Sequence, residues 1–158
     1  MKQAMTIFLK AALFFLAAAL LILCVFWLPR LAQYTAEMFP EFSHLKYPVL
    51  SGIYITAIPF YFAFYQAYKL LNLIEKRSVF SETALSSLKR ITLCAFTIIL
   101  LYIIGIIYLA TQSALHPGIV LVGFAIIFAS LTIAVFCLVL RELLQTASQI
   151  KEENELTV

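Results

Sequence analysis

The chain has 158 residues, of which 64% are hydrophobic and only 12% charged, and its formal net charge is +3. Ordinary globular chains carry about 25% charge, and a soluble domain could not hide this much apolar surface behind so few polar groups. Composition therefore excludes a water-soluble domain and leaves a chain that uses lipid as its outer solvent.

Four apolar runs carry that signal, at residues 11–28, 49–74, 91–110 and 118–140. A hydrocarbon core about 30 Å thick is crossed by roughly 20 helical residues, so each run is long enough to span once. The longest polar connector covers only 29–48. The whole of 1–158 thus reads as one all-α membrane domain. It has four transmembrane helices in an antiparallel up-down bundle, and 141–158 form an extension of the last helix and a tail.

The first run has the basic start of a secretory signal in Lys2 and Lys10, but its apolar core is long and Pro29-Arg30-Leu31 offers no small-residue cleavage site. Ile22 and Leu23 before Cys24 are too bulky for lipoprotein processing. It is read as a retained first helix. The three cysteines, Cys24, Cys94 and Cys137, all lie in or at the edge of spans. Free thiols acting as small hydrophobes are expected, although Cys94 and Cys137 share a depth at which a bridge is conceivable. There is no CxxC or Cys/His metal spacing.

Lys and Arg are shared unevenly. Two precede span 1, two lie in loop 1, five run from Lys69 to Arg90, none is in loop 3 and two follow span 4. One side therefore holds nine and the other two. Short loops rich in Lys and Arg stay in the cytoplasm, so both termini and loop 2 are expected inside.

Span 1 ends at Trp27-Leu28-Pro29, an indole at interface depth. In loop 1, Leu31, Tyr34, Met38 and Phe39 recur at helical spacing. They fit a short helix lying on or extending from the outer surface, and equally an ordered loop packed on the bundle. Span 2 opens after Tyr47-Pro48 and carries Pro59 at its middle, which removes one backbone bond and frees the carbonyl of Ile55. Tyr54, Tyr61, Tyr65 and Tyr68 recur at offsets of seven, four and three and so share one stripe, with Gln66 as the strongly polar side chain beside it. Tyr54, Pro59, Tyr61, Tyr65, Gln66 and Tyr68 are a candidate apolar pocket. Interhelical packing and hydrogen bonding is the blander reading, and the favoured one.

Loop 2 contains a readable helix start: Ser81 as cap, Glu82 at the positive end, and Phe80 and Leu85 at staple positions. Spans 2 and 3 are expected to form an antiparallel hairpin that projects into the cytoplasm. Lys69, Lys76, Arg77, Lys89 and Arg90 ring its base and are candidates for contact with anionic lipid headgroups. Span 3 carries little beyond Cys94, Thr97, Tyr102, Gly105 and Tyr108, and His116-Pro117-Gly118 begins the last helix. Span 4 has small residues at Gly123, Ala125, Ala129, Ser130 and Ala134, which suit close packing within the monomer or a homo-oligomer equally well. Leu140, Leu143, Leu144, Ala147 and Ile150 then keep amphipathic helical spacing. The tail Glu152-Glu153-Asn154-Glu155-Leu156-Thr157-Val158 is acidic with an apolar tip. It is either a frayed end or a docking element for a cytoplasmic partner, with Glu153, Glu155, Leu156 and Val158 making the contact.

The deep parts of the spans contain no ionisable acid, base or histidine, and the chain has no Asp. Intramembrane charges mark proton and ion paths, so an ion-coupled transporter is disfavoured. No Walker A, HExxH or GxSxG motif is present. His44 and His116 are expected on the outer side as polar surface. No catalytic, cofactor-binding or metal residue is assigned, no enzymatic activity is expected, and neither is direct nucleic-acid binding.

The order of spans, Phe39-Pro40, Tyr47-Pro48, the Val79-Phe80-Ser81 turn and the closing Glu155-Leu156-Thr157-Val158 together resemble the YoaS-like family. This is a family of bacterial four-helix integral membrane proteins of unknown function, and the resemblance covers essentially the whole chain. Its members often end with an acidic residue before Leu-Thr-Val, here Glu155. They are typically encoded beside a small Cro/CI-type helix-turn-helix regulator. The resemblance implies a multi-pass protein of the bacterial cell membrane that works with or sequesters a transcription factor, and it carries over no catalytic residue. The sequence-level reading is a non-enzymatic membrane regulator or sensor that binds a cytoplasmic helix-turn-helix transcription factor. The alternatives are a small-molecule transporter or immunity protein acting as an oligomer, and a structural subunit.

Overall fold

The computed structural model describes residues 2–77 and 79–157. All its regular structure is helical: α1 (Lys2–Ile22), a π-helical segment (Leu23–Trp27), α2 (Leu28–Met38), a 3-10 segment (Pro40–Leu45), α3 (Lys46–Glu75), α4 (Glu82–Thr111) and α5 (Pro117–Thr157). Four helical stretches are long and apolar enough to cross a membrane: Gln3–Met38, Pro40–Glu75, Glu82–Thr111 and Pro117–Leu156. The long helices run antiparallel in succession. They pack in chain order, α1 on α3, α3 on α4 and α4 on α5.

The distribution of side chains is inside out relative to a soluble protein. Most buried positions on α4 and α5 are small or weakly polar, among them Ala84, Ser87, Cys94, Ala95, Ser130, Ala134 and Cys137, and Leu88, Ile91 and Ile98 are the large exceptions. The exposed positions are Phe15, Leu100, Ile107, Leu121, Phe128 and Phe136, with many more like them. Lipid tails are as apolar as leucine, so burying leucine between helices gains little there, whereas small residues let backbones approach and gain dispersion contacts. Gly123 shows the approach directly. A Cβ at this position would stand 2.9 Å from Cδ1 of Ile106. Leu88, Ile91 and Cys137 form the core cluster, with Ala67, Leu70, Leu140 and Leu144 packed against it, so the tightest part lies among α3, α4 and α5. All three cysteines are free, Cys94 and Cys137 in buried positions.

Local sequence explains the breaks. Ser81 caps α4 by accepting from the Ala84 N–H at 3.4 Å, as its position before Glu82 leads one to expect. His116 caps α5, its Nδ1 accepting from the Gly118 N–H at 3.0 Å. Helix α3 passes through Pro59 without interruption. Of the two readings of loop 1, the structure has the helical one. Span 1 continues through the π segment into α2, and only Phe39 interrupts the backbone (φ −126°, ψ 76°) before the 3-10 turn.

Candidate functional site

The π segment has a definite cause and consequence. The N–H of Leu28 donates to the carbonyl of Leu23, five residues back. The next bond in that series would run from residue 29 to Cys24, but Pro29 has no N–H. The Cys24 carbonyl is therefore left without a helical partner, and the hydroxyl of Tyr54 donates to it at 2.7 Å. Seven residues on, Tyr61 donates to the carbonyl of Ala17 at 2.8 Å. Seven further on, Tyr68 lies edge-on to Phe14 at 5.2 Å and under the ammonium of Lys10 at 5.5 Å. Lys10 also pairs with Glu75 at 2.7 Å. Tyr54, Tyr61 and Tyr68 thus form one heptad row that fastens α3 to α1.

Tyr65, expected in the same stripe, is 60% exposed and points away from this seam. Pro59 is half-buried. Gln66 is 1% exposed and turns toward the packed core, its Oε1 without a hydrogen-bond partner. Two further buried polar atoms without partners, Oγ of Ser87 and Nε of Arg141, lie on the facing helices. Their neighbours in sequence, Ala67, Leu88 and Leu140, belong to the same core cluster. The α3–α4 end of the molecule thus contains a layer of unpaired polar groups drawn from three helices.

At the same end, Lys76, Arg77, Lys89 and Arg90 are exposed and Lys69 is half-buried. Arg77 adopts a left-handed conformation (φ 58°) just past the end of α3. The tail is helical to Thr157. Phe80, Ala147, Ile150, Lys151, Asn154 and Glu155 line a shallow groove where the tail meets the α3–α4 turn. There the Lys151 ammonium sits 5.6 Å from the centre of the Phe80 ring. Glu153, Glu155 and Leu156 lie on exposed stretches of this helix, Leu156 at 86% exposure. Val158, the last residue of the expected docking tail, lies outside the described residues.

The opposite end holds a chamber of about 550 Å³ between α2, the 3-10 segment, the start of α3 and the α4–α5 connection. Leu31, Phe39, Phe42, Leu50, Leu109 and Ile119 supply apolar walls. Lys46 and His116 also line it. His44 stands apart, its Nε2 3.4 Å from Oε1 of Gln112. No group of three or more His, Cys, Asp or Glu side chains is placed to hold a metal among the described residues.

A family model described as a protein of unknown function, DUF2975, matches residues 30–158. The chain belongs to the DUF2975 family. It is also 48% identical over 160 residues to the uncharacterized membrane protein YoaS of Bacillus subtilis (strain 168), with 100% of each chain covered. No solved structure matches it. This DUF2975 chain is a membrane protein with four helical spans, and the lipid bilayer is its surrounding partner.

Two features of this DUF2975 chain escaped the sequence. The chamber draws on segments far apart in the chain, so no local pattern announces it. The only trace is that the aromatic residues Trp27, Tyr34 and Tyr47 flank the connecting segment that supplies much of its wall. Arg141 could have been found by continuing the small-residue seam of α5 (Ser130, Ala134, Cys137) four residues on, and Ser87 by its place between Ala84 and Ile91 at offsets of three and four.

Proposed function

We propose that this protein is a non-enzymatic membrane regulator, with both termini and the α3–α4 hairpin in the cytoplasm, that binds a helix-turn-helix transcription factor at that face. One observation carries the reading. Helix α5 does not stop at the end of its apolar run but continues unbroken to Thr157. The 17 residues from 141 to 157 reach about 25 Å beyond Leu140 at 1.5 Å per residue, well outside any hydrocarbon core. A rigid, amphipathic, acid-tipped helix is a suitable platform for the basic surface of a DNA-binding protein. Its contact with Phe80 ties it to the turn between α3 and α4, so a shift of the spans would be passed to it.

The nine-to-two distribution of Lys and Arg supports the orientation. The absence of ionisable residues from the deep spans supports a role without ion transport or catalysis. Crosslinked capture from membranes tests the reading. The intact chain is expected to retain a DNA-binding protein that a chain ending at residue 152 does not. Equal capture by both would remove α5 from the contact.

A further inference from the structure

We infer that the chamber at the α2 end is a binding site for a single-chain amphiphile with an anionic head, such as a fatty acid or a lysophospholipid. Three observations converge. The first is depth: Leu28, next to the interfacial Trp27, and Lys46, next to Tyr47, both line the chamber. Trp and Tyr mark the boundary between headgroups and acyl chains, so a ligand here would sit with its head at the water and its chain in the apolar part. The second is size. At roughly 30 Å³ per heavy atom, a water molecule's share of liquid volume, a chamber of about 550 Å³ accepts about 18 heavy atoms. That matches a fatty acid whole, or the acyl chain alone of a lysophospholipid whose head stays outside at the rim, and is far short of a two-chain phospholipid. A volume of this order is also typical of small-ligand pockets.

The third is charge. Among the described residues no carboxylate lines the chamber, although Glu37 and Glu41 belong to the same connecting segment. The two nitrogen-bearing side chains that do line it are both able to donate. Lys46 makes no ion pair among the described residues, its ammonium resting 5.3 Å from the centre of the Tyr47 ring. The Nδ1 of His116 accepts from Gly118 N at 3.0 Å, which places the neutral ring's proton on Nε2 and makes that nitrogen a donor. Thr35, the remaining hydroxyl, is already spent on the carbonyl of Leu31 at 2.7 Å. The polar lining therefore suits an acceptor that carries negative charge. It offers nothing comparable to a cationic head.

This deepens the regulator reading by naming the class of signal. Binding is read on purified protein without any partner, so either reading can fail alone. Trp27 is the only tryptophan and directly precedes the lining residue Leu28, which makes it a built-in reporter. The full chain in nanodiscs of two-chain zwitterionic lipid is titrated with dibrominated stearate, with brominated lysophosphatidylglycerol, and with a brominated neutral alcohol of equal length. Saturable quenching by the anionic probes is expected, about tenfold tighter than by the alcohol. Lys46→Gln should erase that difference while leaving the fold intact, because Lys46 lies at the rim. Ala36→Phe projects a ring into the chamber from α2 and should weaken both anionic probes. The difference between the carboxylate and phosphate probes identifies the preferred head. Linear, unsaturable quenching, equal affinity for the alcohol, or equal competition by two-chain phosphatidylglycerol would each overturn the assignment.

Discussion

The hydroxyl of Tyr54 is the most informative single group to remove. In the structure it donates at 2.7 Å to the Cys24 carbonyl, which lacks a helical donor because residue 29 is proline. Tyr54→Phe therefore leaves a part-buried carbonyl with no partner. Polar contacts between membrane helices average about 0.6 kcal/mol, and an acceptor stranded away from water costs about 1–3 kcal/mol, so a loss of about 1–2 kcal/mol is expected. Tyr61 supplies the control. Its bond to the Ala17 carbonyl has nearly the same length, 2.8 Å, but Ala17 lies within regular α-helix, where the N–H four residues on already serves its carbonyl. Tyr61→Phe should cost only about 0.6 kcal/mol. Pro29→Ala restores an N–H where the π series lacks one. In that background the cost of Tyr54→Phe should fall to that of Tyr61→Phe, about 0.6 kcal/mol, a coupling energy of up to about 1 kcal/mol. Equilibrium unfolding in mixed micelles, followed by helical circular dichroism and by Trp27 fluorescence, measures all four corners of the cycle. If Tyr54→Phe costs the same with and without Pro29, the hydroxyl is not serving an orphaned carbonyl and the account of the π segment fails.

Other expectations follow from the packing. Gln66→Leu and Ser87→Ala remove buried polar atoms that have no partner, so each should be neutral or stabilising by about 1 kcal/mol in the same unfolding assay; a loss of that size would mean that the layer is satisfied after all. Arg77→Gly relieves a left-handed backbone position and should stabilise by roughly 1 kcal/mol, measured as a raised unfolding midpoint. Gly123→Leu drives a branched side chain into Ile106 and should cost about 1–3 kcal/mol, whereas Gly123→Ala meets only the end of a movable side chain and should cost far less. In a chain whose own cysteines have been replaced, a cysteine at position 155 should resist an impermeant thiol reagent applied to intact cells. Labelling from outside would reverse the proposed orientation.

Much of the architecture was legible in the sequence because the physical demand behind it is local. Apolar length marks the spans, Ser81 and His116 mark helix starts, and the amphipathic spacing beyond Leu140 marks the continuation of α5. The tyrosine row was legible as a row, but its purpose was not. Periodicity places Tyr54, Tyr61 and Tyr68 on one face without saying what lies opposite, and Tyr65 leaves the seam because an offset of four turns it past the line that the sevens keep. Loop 1 stayed ambiguous because amphipathic spacing suits both a helix and a packed loop. What decided it was the way Leu23–Trp27 absorbs Pro29 without ending the helix, a choice that depends on Tyr54 thirty residues away. The chamber and the layer formed by Gln66, Ser87 and Arg141 are products of tertiary register, which a single sequence does not encode in any short window.

The central claim is that the cytoplasmic extension of α5 holds a helix-turn-helix regulator at the membrane. Fractionating cells that carry either the intact chain or one lacking residues 153–158 tests it most directly, with the regulator followed by tag in membrane and soluble fractions. The regulator should sediment with membranes that contain the intact chain and move to the soluble fraction with the truncated one, while the four spans insert equally in both. A regulator that stays soluble beside the intact chain, or membrane-bound beside the truncated one, would contradict the claim.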